Sequence, residues 1–90
     1  MIQLVNVQEM AKNYPDTFSA PDKEALGNIS VGDSVKICVN NKERLWVEVT
    51  EIKGEGKLIG KIDNSPITID DVSFGDSLIF KEENIYDIFN

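Results

Sequence analysis

The sequence predicts an α+β domain that is mainly β, with an N-terminal helix packed on a small antiparallel barrel, or strongly bent sheet, of roughly four to five strands. Three observations carry that expectation. The first is a phrase used twice. Ile29-Ser30-Val31-Gly32-Asp33-Ser34-Val35-Lys36-Ile37 recurs 43 residues later as Val72-Ser73-Phe74-Gly75-Asp76-Ser77-Leu78-Ile79-Phe80. Gly tolerates positive φ and Asp bonds to nearby backbone amides, so each copy is a tight turn that launches a strand. The second is period-two alternation, with Val35, Ile37 and Val39 in one run and Leu45, Val47 and Val49 in the next. The third is the supply of Gly, Asn and Asp punctuation between short apolar runs.

The elements follow in order. Leu4, Val7, Met10, Ala11 and Tyr14 fall at spacings of three and four, on one side of a helix from about Val7 to Asn13. Asn6 is its N-cap, with Glu9 in the capping-box place, and Pro15 ends it by pushing Tyr14 out of the α region. Residues 15–28 are a connector with one helical turn near Asp22–Leu26, and 29–90 form the β part of a single domain spanning 1–90. Asn40-Asn41-Lys42-Glu43 turns the first strand into the second. Ile52 shares the parity of Trp46, which places a bulge or strand end near Thr50–Glu51. Gly54-Glu55-Gly56 makes the next hairpin, and Lys57–Ile62 the third strand. A mid-strand Gly60 marks a sharp bend or the close approach of another backbone. Ile67–Ile69 is a short strand or extended piece, Leu78–Phe80 a strong strand, and Glu82–Ile88 a helical turn followed by a short apolar tail. Short strands of this kind leave edges that closure removes, and the resulting architecture is SH3-like.

Ninety residues allow one modest core. Sixteen acids against nine bases leave a net charge of −7, and residues 46–90 carry −6 of it. That field repels phosphate backbones and disfavours direct nucleic-acid binding, while it attracts a basic surface. It also serves solubility. Cys38 is alone, which excludes an internal disulfide, and no secretion signal or membrane span is visible. The expectation is a cytoplasmic protein without cofactor or membrane partner.

Several stretches together resemble a known family. They are Pro15-Asp16-Thr17-Phe18, Val31-Gly32-Asp33-Ser34-Val35-Lys36, Glu43-Arg44-Leu45-Trp46-Val47-Glu48-Val49-Thr50, Gly60-Lys61-Ile62-Asp63-Asn64-Ser65-Pro66 and Gly75-Asp76. In this order they are similar to the YegJ-like domain of unknown function, over about Pro15 to Ile88. The Arg-x-Trp-Val-x-Val-Thr strand followed by Asp-Asn-x-Pro is the most specific part. Many members close with an acidic residue followed by Trp, where this chain has Asp87-Ile88-Phe89. The resemblance implies a fold and positions to test, and no activity.

The chemistry is sparse. Without histidine, neither a Ser-His-Asp nor a Cys-His nucleophile can be assembled, and the chain reads as a non-enzyme. Cys38, beside Lys36, is either an activated thiol or a small residue tucked into the second face of the sheet. Asp63, Asp70, Asp71 and Asp76 lack the alternating ladder of a calcium loop, and each also suits a turn.

Arg44, Trp46, Glu48, Asp63 and Asn64 gather on the non-core side of the central strands as a candidate ligand-binding set. Trp46 has two readings, as a recognition aromatic or as packing beneath the N-terminal helix. Arg44 and Asp63 could also form an ordinary cross-strand pair. Two functions follow. The first is a non-catalytic acidic module that occupies or inhibits a partner protein with a basic surface, as antidotes and phage inhibitors do, through Asp70, Asp71, Glu82 and Glu83. The alternative is a binder or sequesterer of a small nucleotide-like metabolite, with its pocket between subunits of a homo-oligomer joined through Ile85, Tyr86, Ile88 and Phe89.

Overall fold

A computed structural model describes residues 3–67 and 69–89. The chain runs α1 (Val7–Asn13), α2 (Lys23–Gly27), β1 (Ser34–Val39), β2 (Glu43–Ile52), β3 (Lys57–Ile62), β4 (Ser77–Lys81), a 3-10 turn (Glu82–Asn84) and β5 (Ile85–Phe89). The five strands form one antiparallel sheet in the order β4-β3-β2-β1-β5.

The expected closed barrel does not form. β4 and β5 are the two edges of the sheet and share no ladder. The 3-10 turn nevertheless carries the chain from one edge to the other in three residues. Such a turn advances only about 6 Å, whereas four strand spacings of a flat sheet would span about 19 Å. Curvature therefore brings the edges near each other without pairing them.

The alternation in β1 and β2 sets the buried face. Val35, Ile37, Val39, Leu45, Val47 and Val49 are all at most 1% exposed. They pack with Leu58, Ile62, Ile69, Phe80, Ile85 and Ile29 as one core. Gly60 lies within it, and the space for a side chain there is taken. A Cβ would sit 2.8 Å from the Glu48 carbonyl oxygen and 3.1 Å from Phe80 Cε1, and would also meet the Val47 side chain. The expected bulge is present, as the β2–β3 register shifts between Val49 and Glu51.

The repeated phrase folds the same way twice. In the first copy, Asp33 N–H donates to the Ser30 carbonyl at 3.0 Å, and Asp33 Oδ2 accepts the Ser30 amide at 2.8 Å. In the second, Asp76 and Ser73 make the same pair of bonds at 3.0 and 2.8 Å. Gly32 (φ +99°) and Gly75 (φ +88°) occupy the left-handed position of each turn. Their amides dock on the carbonyls of Val49 and Ile62, both at 2.8 Å.

Toward the N-terminus, Asn6 Oδ1 accepts the Glu9 amide and caps α1 as expected. The helix lies against the 3-10 turn. Its apolar stripe is covered unevenly, with Val7 buried, Met10 and Ala11 half-buried, and Tyr14 57% exposed. Leu4 bridges Val39, extending the β1 edge beyond β5. Buried Asn84 ties this segment down, donating to the Val5 carbonyl and accepting the Lys81 amide.

Two expectations need correcting. The C-terminal tail is a strand, β5, paired with β1. The piece Ile67–Ile69 is no strand in its described residues. Ile67 is exposed and Ile69 buried, and Glu43 accepts the amides of both, at 2.8 and 3.3 Å. Thr68 lies outside the described residues.

Candidate functional site

Side chains alternate across a strand, so the row opposite the core projects to the other face of the sheet. Strand register then determines who meets whom. Lys36 pairs with Trp46 on β2 and with Asp87 on β5, while Ser34 pairs with Glu48 and Phe89. Glu48 in turn faces Lys61 of β3.

Trp46 is the centre of this face. It is half-buried, and its ring meets Phe89 edge-on, with centroids 6.4 Å apart and planes at 76°. Lys36 Nζ lies 4.7 Å from the Trp46 ring centroid, a cation–π contact. The Trp46 ring contacts are thus with side chains of β5 and β1. A surface cavity of about 330 Å³ opens beside the pair, lined by Ser34, Trp46, Asp63 and Phe89. Phe89 is 70% exposed at its mouth.

Asp63 and Asn64 reach this place by leaving β3 alongside β2. The Asp63 amide donates to the Trp46 carbonyl at 2.9 Å, and Asn64 Oδ1 accepts the Trp46 amide at 2.6 Å. Asn64 therefore acts on the backbone: it continues the ladder where the strand ends and holds Trp46 in line. The Asp63 carboxylate is exposed and has no hydrogen bond or ion pair among the described residues.

Arg44 stands apart from this cavity. Its guanidinium lies over the Tyr86 ring, 4.5 Å from the centroid, and Tyr86 meets Phe18 edge-on at 5.9 Å. The cross-strand pair of Arg44 with Asp63 is not made. Arg44 instead lines a second cavity of about 350 Å³ with Phe18, Cys38, Asn41, Lys42, Glu43 and Ile67. Cys38 is only 5% exposed there. Burial pushes its thiol up from the ordinary value of 9.0, and the nearby Arg44 charge opposes this more weakly. The reading of Cys38 as an activated thiol is corrected: the neutral form is favoured.

The four acids proposed for partner contact fall in two places. Asp71 accepts from Asn40 Nδ2 at 3.2 Å, which puts Asp70–Asp71 beside the β1–β2 turn. Glu82 and Glu83 belong to the 3-10 turn, where Glu83 accepts from Asn6 Nδ2 at 2.8 Å. Asp76 is committed to its turn.

Sequence reasoning gave Lys36 only to Cys38, gave Tyr86 and Phe89 only to a subunit interface, and gave Phe18 no site role, so it missed the contacts these residues make with Trp46 and Arg44. Lys36 was recoverable, since the turn at Asn40 sets it opposite Trp46. Phe89 and Tyr86 depend on the β1–β5 pairing, which joins the two ends of the β region and leaves no local signal. No family model, curated protein or solved structure matches the chain. The YegJ-like resemblance therefore rests on its motif residues alone. Among the described residues, no helix is long and apolar enough to cross a membrane.

Proposed function

We propose that this protein is a non-catalytic binding module with an SH3-like strand arrangement, and that it acts by occupying a basic surface of a partner protein. The observation that carries the reading is the Trp46–Phe89 pair, an aromatic centre left open on the outer face of β5, β1 and β2. Buried aromatics at the middle of an interface supply most of its binding energy, with polar residues around them excluding water.

The distribution of charge fits this division of labour. On the outer face Lys36, Arg44, Lys57, Lys61 and Lys81 stand against Glu48, Glu51, Asp63 and Asp87, so the net charge of −7 lies elsewhere on the molecule. Asp70, Asp71, Glu82 and Glu83 contribute to that field. They steer a cationic partner in from a distance, and the aromatic centre then holds it.

The YegJ-like resemblance is compatible with this role, because its most specific stretch, Arg44–Thr50 with Asp63-Asn64, builds the Trp46 site. A nucleotide-like ligand is a second reading, favoured by the cavity of about 330 Å³ beside Trp46. An aromatic face and a nearby ammonium would serve a base and a phosphate.

The test is site-specific photo-crosslinking in lysate of the cell that makes the protein, with the crosslinker at Phe89 or, as a control, at exposed Lys12. A basic protein captured at Phe89 only, and lost when the four acids are neutralised or salt is raised to about 0.5 M, supports the proposal. Capture that ignores salt sinks the acidic-steering reading. A small molecule that copurifies with the chain and shifts Trp46 fluorescence, with no protein captured, favours the second reading.

A further inference from the structure

Within the proposed binding face, one feature defines what the partner must present. The cavity beside Trp46 has two aromatic walls nearly at right angles, and its lining includes Asp63, whose side chain carries a carboxylate. That carboxylate is exposed and unpaired among the described residues. The sheet row through it runs Asp87–Lys36–Trp46–Asp63, with two carboxylates to one ammonium. Lys36 already rests at 4.7 Å from the Trp46 ring, so the indole accepts a cation in this environment. Lys36 itself lies outside the lining of the cavity.

We infer that the Trp46–Phe89–Asp63 cavity is a receptor for one arginine side chain of a basic protein partner. The inference rests on the binding-module reading and names the anchor that reading requires. A guanidinium is planar and weakly hydrated, stacks on aromatic rings, and presents paired N–H donors that match a carboxylate. It thereby satisfies the two aromatic walls and Asp63 together. An ammonium has a compact, tightly held hydration shell and no flat face to stack. A neutral apolar side chain would fill the aromatic corner but leave Asp63 unpaired. A phosphate inside the cavity would meet the like charge of Asp63, and the ammonium of Lys36 that could serve one lies outside the lining.

The test uses the intact protein and capped Gly-Arg-Gly, Gly-citrulline-Gly and Gly-Lys-Gly peptides, read through the fluorescence of Trp46, the only tryptophan. Citrulline keeps the shape of arginine and removes its charge. The arginine peptide is expected to change Trp46 emission saturably and to bind about three- to fivefold more tightly than the citrulline peptide. The lysine peptide falls below the arginine one. Phe89→Ala and Asp63→Asn each weaken arginine binding by a similar factor; both positions are exposed, and circular dichroism checks that the fold is kept. Glu24→Gln, at an exposed position of α2 outside the cavity lining, leaves it unchanged. Equal response to arginine and citrulline, or unaltered binding by Phe89→Ala and Asp63→Asn, overturns the inference. No arginine binding alongside persistent salt-sensitive capture at Phe89 overturns the arginine anchor and leaves the module reading standing. Loss of both removes both.

Discussion

Asn64 illustrates how a residue with the chemistry of a binding site can be spent on the backbone. Its Oδ1 accepts the Trp46 amide at 2.6 Å in a partly buried position. Asn64→Ala strands that amide and should lower unfolding free energy by about 1–2 kcal/mol, while Asn64→Asp keeps an acceptor and should recover most of it. Urea titrations compare the three proteins; an alanine variant as stable as the parent would show that the bond contributes nothing. Cys38 supplies a pH test. Its folded thiol titrates above the ordinary value of 9.0 because it is buried. Above that pH the unfolded chain releases a proton that the folded chain retains, so stability is full below it and declines as pH rises toward the folded pKa. Cys38→Ala should flatten that decline in unfolding midpoints taken between about pH 8 and 10, and an unchanged slope would assign it to other groups. At this scale the sequence was legible in part. Trp46 and Asp63 declared themselves through parity, whereas the partners of Arg44 did not. Its guanidinium went to Tyr86 because β5 brings that ring alongside, a contact between residues 44 and 86 that no local pattern encodes.

Among elements, those with purely local causes were the readable ones. The helix at Val7–Asn13, the turn at Gly54–Gly56 and the bulge after Val49 each follow from a cap, a glycine or a change of parity. The duplicated Ser-x-Gly-Asp turns belong with them, since both copies bond alike and leave their second residue, Val31 or Phe74, at least 60% exposed. Because Gly32 and Gly75 hold φ of +99° and +88°, Gly32→Ala and Gly75→Ala should each cost about 1–2 kcal/mol. Neither new methyl group meets an atom within 4 Å, so the loss is conformational and thermal unfolding of the two variants should fall by similar amounts. A strongly unequal pair would mean that the turns differ in what they support. The helical turn at Glu82–Asn84 was legible, but the apolar tail after it was not read as the strand β5. Its inward residues, Ile85 and Ile88, are three apart, which breaks the alternation that marks a strand. The spacing arises because Ile85 pairs with Ile37 and Asp87 with Lys36, leaving Tyr86 as the extra residue of a bulge. That bulge also frees Tyr86 to meet both Phe18 and Arg44. Barrel closure was overestimated for a related reason. Edge protection was assigned to strand pairing, whereas the chain crosses from β4 to β5 through a 3-10 turn held by Asn84.

For the whole molecule, the excess of acids sets a conflict between function and stability. A net charge of −7 on 90 residues is self-repelling, and repulsion favours the expanded chain. Little attraction offsets it. Among the described residues a single ion pair occurs, Lys53 with Glu51 at 3.4 Å, and both side chains are about half exposed. An exposed pair of that kind contributes about 0–1 kcal/mol. Two like charges about 10 Å apart in water repel by about 0.4 kcal/mol, and the acidic excess supplies several such pairs. Salt at about 0.3 M shortens the Debye length below that separation. Unfolding free energy from urea titration should therefore rise by about 1 kcal/mol between roughly 0.02 and 0.3 M sodium chloride. The same change of salt should weaken capture of a basic partner. Opposite responses of folding and binding are the mark of a field kept for steering, since a field that stabilised the fold would make both fall together. A midpoint that drops with salt would place the acids in attractive networks within the fold and remove the argument that their charge is held for a partner.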